Sequence, residues 1–182
     1  MKKILFALLA FVSLAATSCI ENDEITPTKE FIEIDAATYN SNALGKDYPV
    51  LNRKPGEGRQ VLTQGTTADP LISKSTGIIK LRVNLVARQS DVAQEFTYVV
   101  VPNETYTTAT INGEAAVQGT HFKTSGKFTI PANSSFGYIE LEILNSVEPL
   151  ATEKLIVLEI QGNAKYSPNP TDKRVGILIN KG

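Results

Sequence analysis

Ile79-Lys80-Leu81-Arg82-Val83-Asn84-Leu85 and Tyr138-Ile139-Glu140-Leu141-Glu142-Ile143 decide the fold of this chain. In both stretches every odd position is aliphatic, and the even positions carry a charge, an amide or a phenol. Successive side chains of a strand point to opposite faces, so this pattern describes a sheet with one buried and one wet face. Glu140 and Glu142 are predicted to face water and Leu141 to be buried.

Working outward, the same alternation returns in Lys127-Phe128-Thr129-Ile130, which Pro131 closes because proline cannot donate to a continuing ladder. Phe31–Ile34, Phe96–Val101, Leu155–Ile160 and Val175–Ile179 complete a set of about seven strands, with Ile156, Leu158, Ile160, Val175, Ile177 and Ile179 assigned inward. Val61-Leu62 and Ala115–Val117 are expected as short edge strands. Pro131-Ala132-Asn133-Ser134 and Ser167-Pro168-Asn169-Pro170 carry turn chemistry. No stretch after the first 18 residues shows a sustained 3.6-residue apolar stripe with caps. The expected fold is therefore all-β, a two-sheet antiparallel sandwich. Residues 39–77 are rich in Gly, Asn, Asp, Thr and Pro and too long for a routine loop. They form either an extended functional loop or a poorly ordered excursion.

Gly119-Thr120-His121-Phe122, then Gly126 through Ser135 (GKFTIPANSS), then Ile139-Glu140-Leu141-Glu142-Ile143, resembles the Calx-beta module. The resemblance covers roughly Ala115 to Ile179, with Phe31–Ile34 as a first strand. It implies an immunoglobulin-like, Calx-beta-like arrangement of the sandwich over 29–182, and says little about function. The same run resembles uncharacterised lipoproteins of the Bacteroidetes with such a domain. Regulatory Calx-beta modules bind calcium through an acidic loop. Here the corresponding positions hold Asn145, Glu148 and Glu153, with His121 where the family has aspartate. Calcium takes six to eight oxygens, so this is a poor cage and no metal site is expected. His121 is expected to pack and hydrogen-bond within its corner.

The N-terminus reads as an export signal. Lys2 and Lys3 precede an apolar run, Ile4 to Leu14, broken only by Ser13, and small residues lead to Cys19. The run is about half of the ~20 residues a membrane-spanning helix needs. Ala15-Ala16-Thr17-Ser18-Cys19 resembles a lipobox, with Ala16 where a large aliphatic residue is usual and Leu14 two places upstream, a looser form similar to those of the Bacteroidetes. Residues 1–18 are accordingly assigned as a lipoprotein signal peptide and Cys19 as the lipidation site; the competing reading is a free thiol that happens to stand at a cleavage site. Residues 19–28, with Glu21, Asp23, Glu24 and Pro27, cannot bury apolar surface and form a lipidated, flexible tether. Its acidity resembles the signal that sends such lipoproteins to the outer face of the outer membrane, although a plain polar linker has the same composition.

Loss of residues 1–18 would leave 164 of 182 residues, enough for one domain, and would move the net charge from −1 to −3. No basic surplus of the kind nucleic acid requires is present. Cys19 is the sole cysteine, so the fold rests on its apolar core without a disulfide.

One histidine and one lipidated cysteine leave no Cys-His pair and no multi-histidine metal site. No serine sits on a strand-turn-helix elbow, and the carboxylates alternate as a solvated strand face should. No enzyme, catalytic residue or cofactor is expected. Exposed aromatics would suit a glycan, and Tyr98, Tyr106, Tyr138 and Tyr166 are the candidates; the plainer reading places them half-buried at the sandwich rim. The expected role is a non-catalytic, lipid-anchored binding or accessory module at the cell surface. Its expected partners are the membrane, through the lipid, and an outer-membrane transporter complex or glycan in nutrient capture. A structural or adhesion role at the surface or its appendages is the alternative. Cys19→Ser should abolish palmitate labelling and membrane association while leaving the circular-dichroism spectrum intact; undiminished partition into membranes would refute the anchor.

Overall fold

The two alternating stretches lie side by side. In the computed structural model, which describes residues 29–35, 43, 45–51, 77–109, 111–144 and 152–179, Ile79 stands opposite Leu141 and Leu81 opposite Ile139 in an antiparallel ladder. The described residues form twelve strands in chain order: β1 (Phe31–Ile34), β2 (Val50–Leu51), β3 (Gly77–Val86), β4 (Gln94–Val100), β5 (Tyr106–Thr107), β6 (Asn112–Ala115), β7 (Phe122–Thr124), β8 (Lys127–Ile130), β9 (Phe136–Ile143), β10 (Lys154–Gln161), β11 (Ser167–Pro168) and β12 (Arg174–Ile179). One sheet has the order β11-β1-β3-β9-β7. The other runs β2-β12-β10-β4-β8, with β6 on β10 and β5 on β6.

All seven long strands expected from alternation form, with ends shifted by up to two residues. Of the five additional strands, four are two or three residues long, too short for a period of two to be visible, and β6 (Asn-Gly-Glu-Ala) has no large apolar residue to mark one. The edge strand expected at Ala115–Val117 lies earlier, at Asn112–Ala115, and Val61-Leu62 falls outside the described residues. The pairing is also not purely antiparallel, because β1–β11, β6–β10 and β2–β12 run parallel. Each parallel pair is a two-residue contact. The partners in each pair are separated in the chain by at least three other strands, so no hairpin imposes the antiparallel sense.

Between the sheets lies one core, with Ile32, Leu81, Val83, Ile139 and Leu141 from the first sheet meeting Phe96, Ile156, Leu158, Ile160, Val175 and Ile177 from the second. The inward assignment for β10 and β12 holds. Near Gly137 the two sheets approach backbone to backbone: a Cβ there would sit 2.3 Å from the Thr129 carbonyl oxygen. Asn133 adopts a positive φ of 57°, which asparagine tolerates in a turn, and the turn closes with Ser134 N–H donating to the Pro131 carbonyl.

A second cluster covers the opposite face of β10 and β12. Leu155, Val157 and Leu178 are buried there against Ala43, Tyr48, Val50, Tyr106 and Ile111. The segment 45–51 is thus a packed cover on the seven-stranded sheet. A polar clasp fastens it: Lys46 Nζ and the Tyr48 hydroxyl donate to Glu104 at 2.8 and 3.0 Å. Gly176 makes room for the cover, since a Cβ would press on Val50 at 3.0 Å and Tyr48 at 3.3 Å. The hydrogen bond from Lys46 and that from Tyr48 hold the Glu104 carboxyl below its ordinary value of 4.5 against the opposing effect of burial.

Leu141 is fully buried, and Leu141→Ala should cost about 2–5 kcal/mol in urea unfolding of a form lacking residues 1–28. Glu140 and Glu142 lie on the wet face, and their alanine variants should each stay within about 0.5 kcal/mol; three equally mild changes would refute the register. A carboxylate whose folded pKa is depressed contributes stability that is present above its unfolded pKa and lost as pH falls through the folded one. Glu104→Gln should therefore destabilise by about 1 kcal/mol at pH 7, and the gap to the parent should close below about pH 4.5. A gap independent of pH would show that the clasp is not ionic.

Candidate functional site

Burial of the odd positions of β3 and β9 leaves the even ones on an open surface. Arg82 is paired with Tyr138, Asn84 with Phe136 and Lys80 with Glu140 across the two strands. Tyr138 is 45% exposed, large for a tyrosine in mid-strand. The Phe136 and Tyr138 rings meet edge to face, with centroids 5.7 Å apart, and the Arg82 guanidinium lies 4.2 Å from the Phe136 centroid.

A chain of polar contacts fixes that guanidinium. Arg82 Nε donates to Asn84 Oδ1 at 2.9 Å, and Asn84 Nδ2 donates to Asp35 Oδ1 at 3.2 Å. The second Asp35 oxygen lies 3.8 Å from Arg82 Nε. Asp35 is buried at the end of β1, where its N–H donates to the Arg82 carbonyl. Stacking and hydrogen bonding together restrict the Arg82 rotamers, so its free N–H groups have a defined direction.

Further along β9 the face dips into a shallow, open depression of about 340 Å³, lined by Ile78, Lys123, Thr124, Ser125, Glu140 and Glu142. Lys80 and Glu140 form a 2.9 Å ion pair between it and Tyr138, with more than half of each side chain exposed. Ile78 is 47% exposed, an aliphatic side chain on the wet side of the sheet.

Of the four tyrosines singled out by sequence, Tyr98, Tyr106 and Tyr166 are buried and offer no platform. Tyr98 and Tyr166 belong to the main core and Tyr106 to the second cluster. Tyr98 spans to the other sheet through a hydrogen bond with Thr124 Oγ1. Tyr138 alone of the four is exposed. Phe136, Arg82, Asn84 and Asp35 were not candidates from sequence. Phe136 shares Tyr138's parity two residues upstream, a signal available in the sequence. Asp35 lies far from the others in the chain and is brought in by the β1–β3 pairing.

His121 is a corner residue, as expected. Its Nδ1 accepts from the Val117 N–H at 2.8 Å, so that nitrogen carries no proton, and its carbonyl accepts from Leu144. Of the calcium-loop positions, Asn145 and Glu148 fall outside the described residues, and Glu153 accepts from the Asn112 N–H at 3.3 Å. Among the described residues no three His, Cys, Asp or Glu side chains converge as a metal site would require. Cys19 and the tether also lie outside the described residues.

No protein-family model matches the chain, and no curated protein matches it. Solved structures show distant similarity. A candidate carbohydrate-binding protein from Bacteroides ovatus aligns over 59% of this chain and 32% of its own, at 11% identity and a TM-score of 0.43. A protein of unknown function from the same organism aligns over 57% and 36%, at 13% identity and a TM-score of 0.41. This chain thus spans about a third of the length of each.

Proposed function

We propose that this protein is a non-catalytic carbohydrate-binding or accessory module of a nutrient-capture assembly, held by a lipid on Cys19 at the outer membrane and facing the exterior. The observation that carries the ligand class is the exposed Tyr138 ring beside a guanidinium, an amide and a carboxylate held in place by one another. A pyranose ring has an apolar C–H face and a rim of hydroxyls. An aromatic ring at the edge of a preorganised polar network complements both.

The openness of the face favours binding over catalysis. A glycosidase needs two carboxylates flanking a bond in a cleft, with one kept protonated. Glu140 and Glu142 stand on an open strand face, and Glu140 is ion-paired with Lys80. The anchor rests on the reading of residues 1–28 given above. We also read the sandwich as immunoglobulin-like of the Calx-beta kind, with the short parallel strands as additions. The self-bonded His121 corner and the turn after Ile130 support that reading.

Screening the Cys19→Ser form on a glycan array and titrating the best ligand should give binding that Tyr138→Ala weakens at least about tenfold, or 1.4 kcal/mol. Tyr106→Phe, a change within the second core, should leave affinity unaltered. Equal affinity of the Tyr138→Ala and parent proteins would sink the assignment of this face.

A further inference from the structure

The wet face of β3 and β9 carries two apolar patches, and their separation and the charges between them bear on the shape and charge of what binds there. Tyr138 forms one patch and Ile78 the other, opposite Glu142 on the neighbouring strand. From Tyr138 to Glu142 along β9 is about 14 Å at about 3.4 Å per residue, longer than one pyranose ring and suited to two or three in a row. Between the patches sits the polar Lys80–Glu140 pair, at the edge of the depression that Ile78, Lys123, Ser125 and Glu142 also line. Apolar, polar and apolar ground thus succeed one another along the strand.

Charge narrows the ligand further. Every cation on this part of the face has a carboxylate beside or opposite it: Lys80 with Glu140 at 2.9 Å, Arg82 with Asp35 at 3.8 Å, and Lys123 across from Glu142 in the β7–β9 ladder. Glu33 accepts from Asn169 at 2.8 Å. An anionic ligand would meet Glu140 and Glu142 with no surplus cation to receive it, and a cationic one would have to displace a lysine or Arg82. An uncharged, hydroxyl-rich ligand can use these groups as donors and acceptors without breaking any pair.

We infer that the ligand is an uncharged oligosaccharide lying along β9, with one ring on Tyr138 and a later ring over Ile78 in the depression. This rests on the carbohydrate reading of the face and adds its direction, minimum length and charge.

The test is calorimetric titration of the Cys19→Ser protein with neutral gluco-, manno- and xylo-oligosaccharides of two, four and six rings, and with oligogalacturonides of the same lengths. Affinity for at least one neutral series should rise about tenfold from two rings to four, and the matching oligogalacturonides should bind at least about tenfold more weakly. Ile78→Ala should remove the gain with length while sparing the two-ring affinity, and Tyr138→Ala should weaken binding at every length. Neutral binding that is flat with length, or a length gain that survives Ile78→Ala, would overturn the extended occupant and leave the carbohydrate reading standing. Preference for the oligogalacturonides would overturn the uncharged ligand alone. Absence of binding to every member, with a blank array, would overturn both.

Discussion

The antiparallel register between β3 and β9 is the constraint on which the other features depend. Ile79, Leu81 and Val83 on one strand and Ile139 and Leu141 on the other are almost wholly removed from water. A slip of one residue would exchange these side chains for Lys80, Arg82, Tyr138 and Glu140. Charged groups do not survive unpaired in an apolar interior, so the register is held by the cost of its alternatives as much as by the aliphatic contacts. The same choice of face sets Arg82 opposite Tyr138 and thereby assembles the candidate site.

The seven-stranded sheet obeys a different burial rule. Its strands β10 and β12 are covered on both faces, inward by the main core and outward by Tyr48, Val50, Tyr106 and Ile111. In a domain without a disulfide in its described part, that second layer adds apolar area at a place where a plain two-layer sandwich would be wet. The cover needs the Lys46–Tyr48–Glu104 clasp because its own strand, β2, contributes only two residues of ladder. Among the described residues the other sheet has no such cover over β3 and β9, and there the aromatic and aliphatic side chains of the wet face, Tyr138 and Ile78, stay exposed.

Rigidity of the site comes from its position on paired strands. Asp35, Asn84 and Arg82 belong to two adjacent strands or their ends, and each restrains the next. A group oriented before its ligand arrives loses less freedom on binding, which is why a few well-held polar atoms beside one exposed ring can suffice for recognition.

The sequence by itself determined the strands whose alternation is long enough to be read, and with them the buried faces of β3, β8, β9, β10 and β12. A strand of four or more residues displays its own solvent boundary. That β10 and β12 are buried on both faces was not read from the sequence, which assigned only their inward rows; the structure shows the second layer. Only the tertiary structure decided the rest. Two-residue strands such as β2 and β11 exist because a neighbour offers free backbone groups, and nothing in their own residues announces it. Four tyrosines look alike in sequence; three are buried because segments distant in the chain fold over them, and among the described residues none folds over Tyr138, which is exposed. The clustering of Asp35 with Arg82 and Asn84 likewise depends on β1 returning beside β3, a long-range pairing set by the packing of the whole sheet.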